Sequence, residues 1–207
     1  MNAKKEGKNI VICISGMAGS GKSTLAKRIA ERYGLDYFSG GDALKQLAIE
    51  EGYEPKGNGW WESKEGLRFL EERERDKKFD SKVDEKLLKM ANKGGVVLDS
   101  WTMPWLFKGE AFKIWLKASL DVRAKRAAKR DSIRVKKITK IIKDKDERTR
   151  QIYKTLYGFD FGEDLSPFDL VLNTDKFGPD DVYDIVSKAI DLYIKNRLKK
   201  NISKKSF

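Results

Sequence analysis

The sequence lacks the residues on which several common kinds of chemistry and membrane attachment depend. Its 207 residues contain no histidine, and Cys13 is the only cysteine. Without histidine, a proton acceptor has to be a carboxylate or the substrate itself. A single cysteine excludes an internal disulfide and a cysteine cluster for zinc, and it favours a cytoplasmic protein. No apolar run approaches the roughly 18 residues that a membrane span needs, so we expect no membrane partner.

Positive charge is in excess, since 44 lysines and arginines face 32 aspartates and glutamates and give a net charge of +12. Nucleic-acid binding is one explanation, and a site that binds polyphosphates is the other. We favour the second, because basic and aromatic residues are not interleaved in an RNA-recognition pattern. The length predicts a single domain, 1–207, and the basic stretch 199–207 is expected to be a disordered tail.

The most informative motif is an unbroken match to G-x-x-x-x-G-K-[ST] at residues 16–23. A short apolar stretch, 9–14, precedes it, and a helical pattern that stops at Gly34 follows it. Strand, glycine-rich loop and helix form the context of a phosphate-binding P-loop, which disfavours a chance match in an ordinary turn. Lys22 would reach the β- and γ-phosphates of a nucleoside triphosphate. The predicted nucleotide-binding residues are Gly16, Met17, Ala18, Gly19, Ser20, Gly21, Lys22, Ser23 and Thr24.

Strand patterns alternate with helical patterns along the rest of the chain. Strands are expected at 9–14, 36–38, 95–99, 112–118 and 169–174, and helices at 23–34, 42–51, 64–75, 81–92, 120–130, 133–157 and 179–198. This alternation predicts an α/β fold with a parallel sheet covered by helices on both faces. Ligands of such sheets bind beyond the carboxyl ends of the strands.

Charged residues after the P-loop suggest a metal site and a phosphate clamp. Asp99 ends an apolar strand, which is typical of a Walker B carboxylate, so Asp99 and Ser23 are the predicted Mg²⁺ ligands. Arg123, Arg148 and Arg150 lie on later helical patterns and could bind phosphates that gain charge during transfer. A solvated helix face with ion pairs is the alternative for these arginines.

Several segments in order along nearly the whole chain, apart from the tail, resemble archaeal-type cytidylate kinases in the P-loop nucleoside monophosphate kinase group. They are the P-loop, 39–45 (SGGDALK), 96–99 (VVLD), 115–123 (WLKASLDVR), 148–158 and 168–174 (FDLVLNT). The P-loop is specific for phosphate binding, and the later segments are typical of this group of kinases.

The resemblance implies phosphorylation of CMP or dCMP with ATP and Mg²⁺ as cofactors. It implies a P-loop kinase three-layer fold with a five-stranded parallel sheet, an acceptor-binding region at about 40–93 and a lid at about 130–158. Lys22 and Asp99 would be catalytic together with Arg123, Arg148 and Arg150. Lys45 would bind the acceptor's phosphate, and Asp42 would contact the acceptor or the metal shell, or serve only as a helix N-cap.

Two departures from the family pattern bear on the acceptor. Lys45 stands where the family usually carries arginine, and the residues after Asp99 are Ser-Trp-Thr-Met-Pro-Trp rather than a segment with arginine. Trp60, Trp61, Trp101 and Trp105 could therefore stack on the acceptor's base, with core packing as the alternative for each, and Trp60, Trp61 and Trp101 are the predicted acceptor-binding residues among them.

Two further functions stay open from the sequence. One is a kinase of a non-nucleotide phosphorylated metabolite, and the other is a P-loop ATPase in RNA or ribosome assembly. The sequence does not determine the oligomeric state.

Overall fold

The computed structural model describes residues 9–57 and 59–204, which alternate between strands and helices as expected. The strands are β1 Val11–Ser15, β2 Asp36–Ser39, β3 Val96–Asp99, β4 Phe112–Lys117 and β5 Leu170–Asn173. The helices are α1 Lys22–Tyr33, α2 Gly40–Glu50, α3 Lys64–Arg75, α4 Lys78–Lys93, α5 Met103–Leu106, α6 Leu120–Asp131, α7 Val135–Tyr157 and α8 Pro179–Lys204, with a short 3-10 helix at Trp60–Glu62.

The five strands form one parallel sheet in the order β2-β3-β1-β4-β5. The central strand, β1, is buried along its whole length, because its residues pair with β3 on one side and β4 on the other. Ile12, for example, is in register with both Val97 and Phe112. The parallel order brings the carboxyl ends of all five strands to one edge of the sheet, where the P-loop follows β1.

Helices pack on both faces of this sheet, which confirms the predicted three-layer α/β fold. Leu25 and Ile29 of α1 and Val186 of α8 pack on one face. Leu87 of α4 and residues of α2 and α5 pack on the other, together with Cys13 of β1. Burial raises the pKa of Cys13 to about 12, so this thiol has the inert character expected of a core cysteine.

Some boundaries differ from those expected. Helix α2 begins at Gly40, and its N-cap is Ser39, whose Oγ accepts a hydrogen bond from the Asp42 backbone N–H at 3.1 Å. The N-cap role considered for Asp42 is therefore wrong. Helix α8 continues to Lys204, so the expected disordered tail is helical from 199 to 204, and 205–207 lie outside the described residues. Neither α5 nor the 3-10 helix was predicted. Among the described residues, no helix is both long and apolar enough to cross a membrane.

Helix α7 forms a long hairpin with α6 and lies over the edge of the sheet that carries the P-loop. Its first half packs on α6 through Ile138 and Ile142, which contact Ala124 and Ala127. Its second half joins a cluster of aromatic side chains that includes Tyr153 and Phe161. The hairpin therefore forms a roof over the site described below.

The turn from the 3-10 helix into α3 requires a residue without a side chain at position 66. A Cβ atom on Gly66 would lie 2.1 Å from the Trp60 carbonyl oxygen and 2.9 Å from the Trp61 Cα, and both are backbone atoms. We expect Gly66→Ala to lower the free energy of unfolding by about 1–3 kcal/mol, because the backbone has to move to accept the methyl group. Urea unfolding followed by tryptophan fluorescence measures this loss.

Gly41→Ala is the matched control, since a Cβ at this other helical glycine would meet only the Ser39 Oγ at 3.6 Å. We expect it to change the free energy of unfolding by less than about 1 kcal/mol. Equal losses in the two variants would contradict the proposed clash.

Candidate functional site

The P-loop lies tightly between the ends of β1 and β4 and the start of α6. Gly19 and Gly21 have φ angles of 80° and 96°, which a residue with a side chain rarely adopts. A Cβ on Gly16 would lie 2.6 Å from the Leu116 carbonyl oxygen, and one on Gly19 would lie 2.9 Å from the Arg123 carbonyl oxygen. These glycines therefore allow both the turn of the loop and its close contact with neighbouring backbone.

Lys22 and Asp99 meet where the P-loop and β3 end. The Lys22 Nζ is 3.9 Å from the Asp99 Oδ1 and 5.5 Å from the centre of the Trp101 ring. Asp99 is 2% exposed, and its Oδ2 accepts a hydrogen bond from the Tyr37 hydroxyl at 3.1 Å. Burial and the Asp99 charge raise the pKa of Tyr37, so its phenol stays a hydrogen-bond donor. Asp99 Oδ1 has no hydrogen-bond partner among the described residues.

A cavity of about 290 Å³ opens beside this pair, between the sheet edge and the roof formed by α7. It lies at the carboxyl ends of the strands, as expected for an α/β fold. Of the predicted site residues, the structure brings Ala18, Gly19, Lys22, Ser23, Asp42, Lys45, Trp61, Asp99 and Trp101 to its walls.

The other predicted tryptophan, Trp60, is not in this lining. Its ring is 3% exposed and packs against Phe69 and Tyr53 in the core. Trp105 is also buried, and it stacks on Phe159 with ring centres 4.4 Å apart. Core packing, the alternative considered for each tryptophan, therefore explains Trp60 and Trp105, whereas Trp61 and Trp101 reach the cavity.

Arg123 is buried behind the P-loop rather than in the cavity lining. Its guanidinium donates to the Ala18 carbonyl oxygen at 3.0 Å, the Ala118 carbonyl oxygen at 3.3 Å and the Asp146 Oδ2 at 2.8 Å. Burial raises the pKa of Asp146 although Arg123 opposes the shift. Arg123 thus joins the P-loop to α7 and positions the phosphate-binding loop, and its predicted catalytic role stays a prediction.

Arg148 and Arg150 lie outside the cavity. Arg148 pairs with carboxylates of α3 and α7 and approaches Glu74 to 3.2 Å and Asp144 to 3.0 Å. Arg150 donates to the Phe161 carbonyl oxygen at 3.4 Å and lies 3.6 Å from Glu147. The structure therefore does not bring these two predicted arginines to the cavity wall, and their catalytic role stays a prediction.

Two cations that were not among the predicted site residues line the cavity from the roof side. Lys145 of α7 is 2.7 Å from the Glu62 Oε1, and Arg130 of α6 is 3.4 Å from the Glu62 Oε2. Burial lowers the pKa of Lys145 despite the opposing charge of Glu62. The signal in the sequence is the position of Lys145, which falls on the apolar stripe of α7 between Ile142 and Ile152.

A buried group of charged side chains from α3 and α4 lines another part of the cavity. Arg73 donates two hydrogen bonds to Asp80, at 3.0 and 2.6 Å. Asp84 accepts hydrogen bonds from the Thr102 hydroxyl at 2.5 Å and the Tyr157 hydroxyl at 2.6 Å. Burial raises the pKa of Asp84 to about 6, against the effect of these two donors. These residues were not among the predicted site residues, and they also lie on otherwise apolar helix faces.

A second groove, of about 440 Å³, lies on the other side of the P-loop. Ser20, Gly21 and Thr24 contribute to it, together with Arg126 and Phe177. Arg126 donates to the Thr174 carbonyl oxygen at 2.8 Å and to the Ser20 carbonyl oxygen at 3.2 Å. The P-loop therefore separates two concave surfaces and contributes residues to both.

Comparison with known proteins places this arrangement in a family. Residues 11–176 match the sequence profile of the cytidylate kinase-like family. The chain belongs to that family. It is 38% identical over 182 residues to the cytidylate kinase of Pyrococcus horikoshii, and the aligned region covers 88% of this chain and 88% of the relative. It is 36% identical over 198 residues to the cytidylate kinase of Sulfurisphaera tokodaii, and this alignment covers 93% of this chain and 99% of the relative. The predicted resemblance is confirmed.

Solved structures support the fold of this cytidylate kinase-like protein. Shikimate kinase from Acinetobacter baumannii aligns with a TM-score of 0.55 and 18% identity, covering 94% of this chain and 99% of that chain. A gluconokinase from Sinorhizobium meliloti aligns with a TM-score of 0.51 and 14% identity, covering 97% and 98%. At these identities the likeness concerns the fold alone, and it confirms the predicted P-loop kinase fold.

The raised pKa of Asp84 predicts a pH dependence of stability. The folded protein holds this proton up to about pH 6, whereas the unfolded chain releases it near its ordinary value of 3.8. The unfolded state thus binds fewer protons in this window, so stability falls as the pH rises through it. We expect the free energy of unfolding of the wild type, relative to Asp84→Asn, to fall by on the order of 2 kcal/mol between about pH 4 and pH 8. Urea unfolding of both proteins across this range tests it, and a constant difference would contradict it.

Proposed function

We propose that this protein is a nucleoside monophosphate kinase that transfers the γ-phosphoryl group of ATP to CMP or dCMP. The observation that carries the proposal is the cavity in which the P-loop Lys22 and a charged, polar lining face one another. Family membership supports ATP as the donor, and relatives named cytidylate kinase support the acceptor. The two concave surfaces on either side of the P-loop match a reaction with two substrates.

The donor would bind with its phosphates in the P-loop and its base in the groove beside Arg126 and Phe177. Backbone N–H groups of the loop and the N-terminus of α1 favour the negative charge of the phosphates. Arg126 is fixed by Thr174 and Ser20, and Phe177 is 39% exposed, so together they offer a charged and an apolar surface to a base. The triphosphate would then point through the P-loop toward the cavity.

The residues present fit a magnesium ion. Asp99 Oδ1 is buried without a hydrogen-bond partner among the described residues, and Ser23 follows Lys22 at the start of α1. Carboxylate and hydroxyl oxygens are the ligands that Mg²⁺ prefers, with phosphates and water as the others. We propose that Asp99 and Ser23 hold the ion, directly or through water. When bound, Mg²⁺ neutralises charge on the phosphates.

Positive side chains around the cavity account for the rest of the chemistry. Lys22 would neutralise charge on the transferring phosphoryl group from the P-loop, and Arg130 and Lys145 would do so from the roof. Lys45 would bind the acceptor's phosphate, and Asp42, Trp61 and Trp101 would contact the acceptor from the walls. The acceptor-binding region would span about 40–93, and the lid would span about 130–158, which contains α7.

The chemistry requires no histidine. The attacking group is an oxygen of the acceptor's phosphate, whose second ionisation lies near pH 6. At neutral pH this oxygen carries no proton that a base has to remove. It forms a bond to the γ-phosphorus as the bond to the bridging oxygen breaks, and ADP leaves with the negative charge. The protein therefore has only to position two anions and exclude water.

An acceptor panel tests the function directly. We expect ADP release, measured in a coupled assay with ATP and Mg²⁺, to be strongly stimulated by CMP or dCMP and only weakly by AMP. Lys22→Ala should lower turnover by at least about 100-fold while the protein melts as a folded domain. The control Lys86→Ala changes an exposed lysine of α4 and should leave turnover unchanged.

Several outcomes would contradict this proposal. Stimulation by a phosphorylated metabolite but by none of the nucleotides would favour the other kinase function considered above. ATP hydrolysis without any acceptor, together with salt-dependent RNA binding, would favour an RNA-assembly ATPase. Full turnover by Lys22→Ala would overturn the site itself.

The roof cations give a second test, because they replace the arginines expected from the sequence. We expect Arg130→Gln to lower kcat by about 10-fold or more, since it lines the cavity. Arg148→Gln should change kcat by less than about 3-fold, because its partners are carboxylates outside the cavity. Steady-state kinetics of both variants decide the assignment, and a larger loss in Arg148→Gln would reverse it.

A further inference from the structure

Three charged side chains line the cavity on helix faces that otherwise carry apolar residues. Arg73, Asp80 and Asp84 are 2%, 3% and 5% exposed. Their neighbours on the same stripes are core residues such as Phe69 and Leu87. Burying charge is costly, and a buried ion pair is often no more stable than apolar residues in its place. The group therefore invites a functional explanation.

The pairing within this group leaves hydrogen-bonding capacity for a ligand. A guanidinium has five N–H donors, and Arg73 uses its Nε and Nη2 for Asp80, which leaves its Nη1 edge for another acceptor. Each oxygen of a carboxylate can accept about two hydrogen bonds, and each oxygen of Asp84 accepts one, from Thr102 or Tyr157. Asp84 and Arg73 thus present an acceptor and a donor in the same cavity lining.

We propose that Asp84 and Arg73 read the hydrogen-bonding edge of the acceptor's base and select cytosine over uracil. Asp84 accepts a hydrogen bond from the exocyclic amino group of cytosine, and Arg73 donates to its ring nitrogen or carbonyl oxygen. Uracil carries a carbonyl oxygen in place of the amino group. This oxygen and the Asp84 carboxylate are both hydrogen-bond acceptors, so they would repel one another. A carboxylate that accepts from the cytosine amino group is an established pairing in nucleic-acid recognition.

The shape of the cavity is consistent with this orientation of the acceptor. The acceptor's phosphate has to face Lys22, so its base points away from the P-loop. Leu70, Val83 and Tyr153, from the same helices as the charged group and from α7, offer apolar and aromatic surface for a ring. This inference rests on the proposed function, because it concerns the acceptor of the same reaction.

The ratio of kcat/KM for CMP to that for UMP tests the inference. We expect Asp84→Asn to lower this ratio by at least about 10-fold, because an amide can donate to the uracil oxygen as well as accept from the cytosine amino group. Asp80→Asn is the matched control. It removes an equally buried carboxylate one turn earlier on α4, and it should lower activity with both nucleotides while the ratio stays within about 3-fold. A purely structural role for Asp84 would lower both activities and leave the ratio unchanged, which would overturn the inference.

The wild type provides a second measurement that does not depend on a folded variant. Asp84 gains a proton as the pH falls through about 6, and a protonated carboxyl donates to uracil. We expect the wild-type ratio to fall between about pH 8 and pH 5.5, and the ratio of Asp84→Asn to stay constant. The other groups that face Asp84 keep one state in this range: Arg73 stays charged and paired with Asp80, and burial raises the pKa of Tyr153 and Tyr157.

A wild-type ratio that rises or stays constant toward low pH would overturn the inference even if Asp84→Asn failed to fold. Failure of the proposed function is a distinct result, because the wild type would then turn over neither CMP nor UMP at any pH. If the wild type turns over CMP but Asp84→Asn leaves the ratio unchanged, the proposed kinase function stands and only the role of Asp84 in base selection is contradicted.

Discussion

One buried guanidinium connects the parts of the site that have to act together. Arg123 donates to backbone carbonyl oxygens on the P-loop and after β4, and also to the carboxylate of Asp146 on α7. The phosphate-binding loop, the sheet edge and the roof therefore share a single hydrogen-bonding centre in a buried, low-dielectric setting. If this centre were lost, two backbone acceptors and one buried carboxylate would lack their partner, and the loop would lose its fixed position relative to the roof.

This arrangement explains why arginines that look alike in the sequence differ in the structure. Arg123, Arg130 and Arg148 all lie on charged helices, and their residue type alone does not separate a structural role from a phosphate contact. The separation comes from the α6–α7 hairpin, which brings Arg130, paired with Asp131 and Glu62, to the cavity wall and Arg148 to the carboxylates of α3. Tertiary packing decides which guanidinium lines the cavity, and no local pattern contains that information.

The fold itself was largely predictable. The P-loop with its flanking strand and helix, Asp99 at the end of β3 and the alternation of strands with helices each depend on local sequence, and all are in the expected places. The short helix at Met103–Leu106 was missed because a four-residue element has too little periodicity to detect. Ser39 was missed as the N-cap of α2 because the helix was expected to begin at Asp42, a residue type that is itself common at N-caps.

The charged residues that line the cavity could have been predicted from the helix periodicity, although they were not among the predicted site residues. Lys145, Arg73 and Asp84 each fall on the apolar stripe of an amphipathic helix, where a charge is unexpected. Such a break in the periodicity marks a buried charge, and buried charges cluster at functional sites. The pattern does not identify the partner of each buried charge. Lys145 pairs with Glu62 and Asp84 accepts a hydrogen bond from Thr102, and both partners belong to other segments of the chain.

The close contact of Gly66 with the backbone of Trp60 has a consequence for how this protein can evolve. Helix α3 uses one face both to fill the core, through Phe69, and to line the cavity, through Gly66 and Arg73. A substitution on this face would change affinity and folding together, so few such mutations would survive selection. Trp101, in the segment after β3, lines the cavity but is only half-buried, so the core constrains it less. Divergence in acceptor preference within the family is therefore expected to accumulate there first.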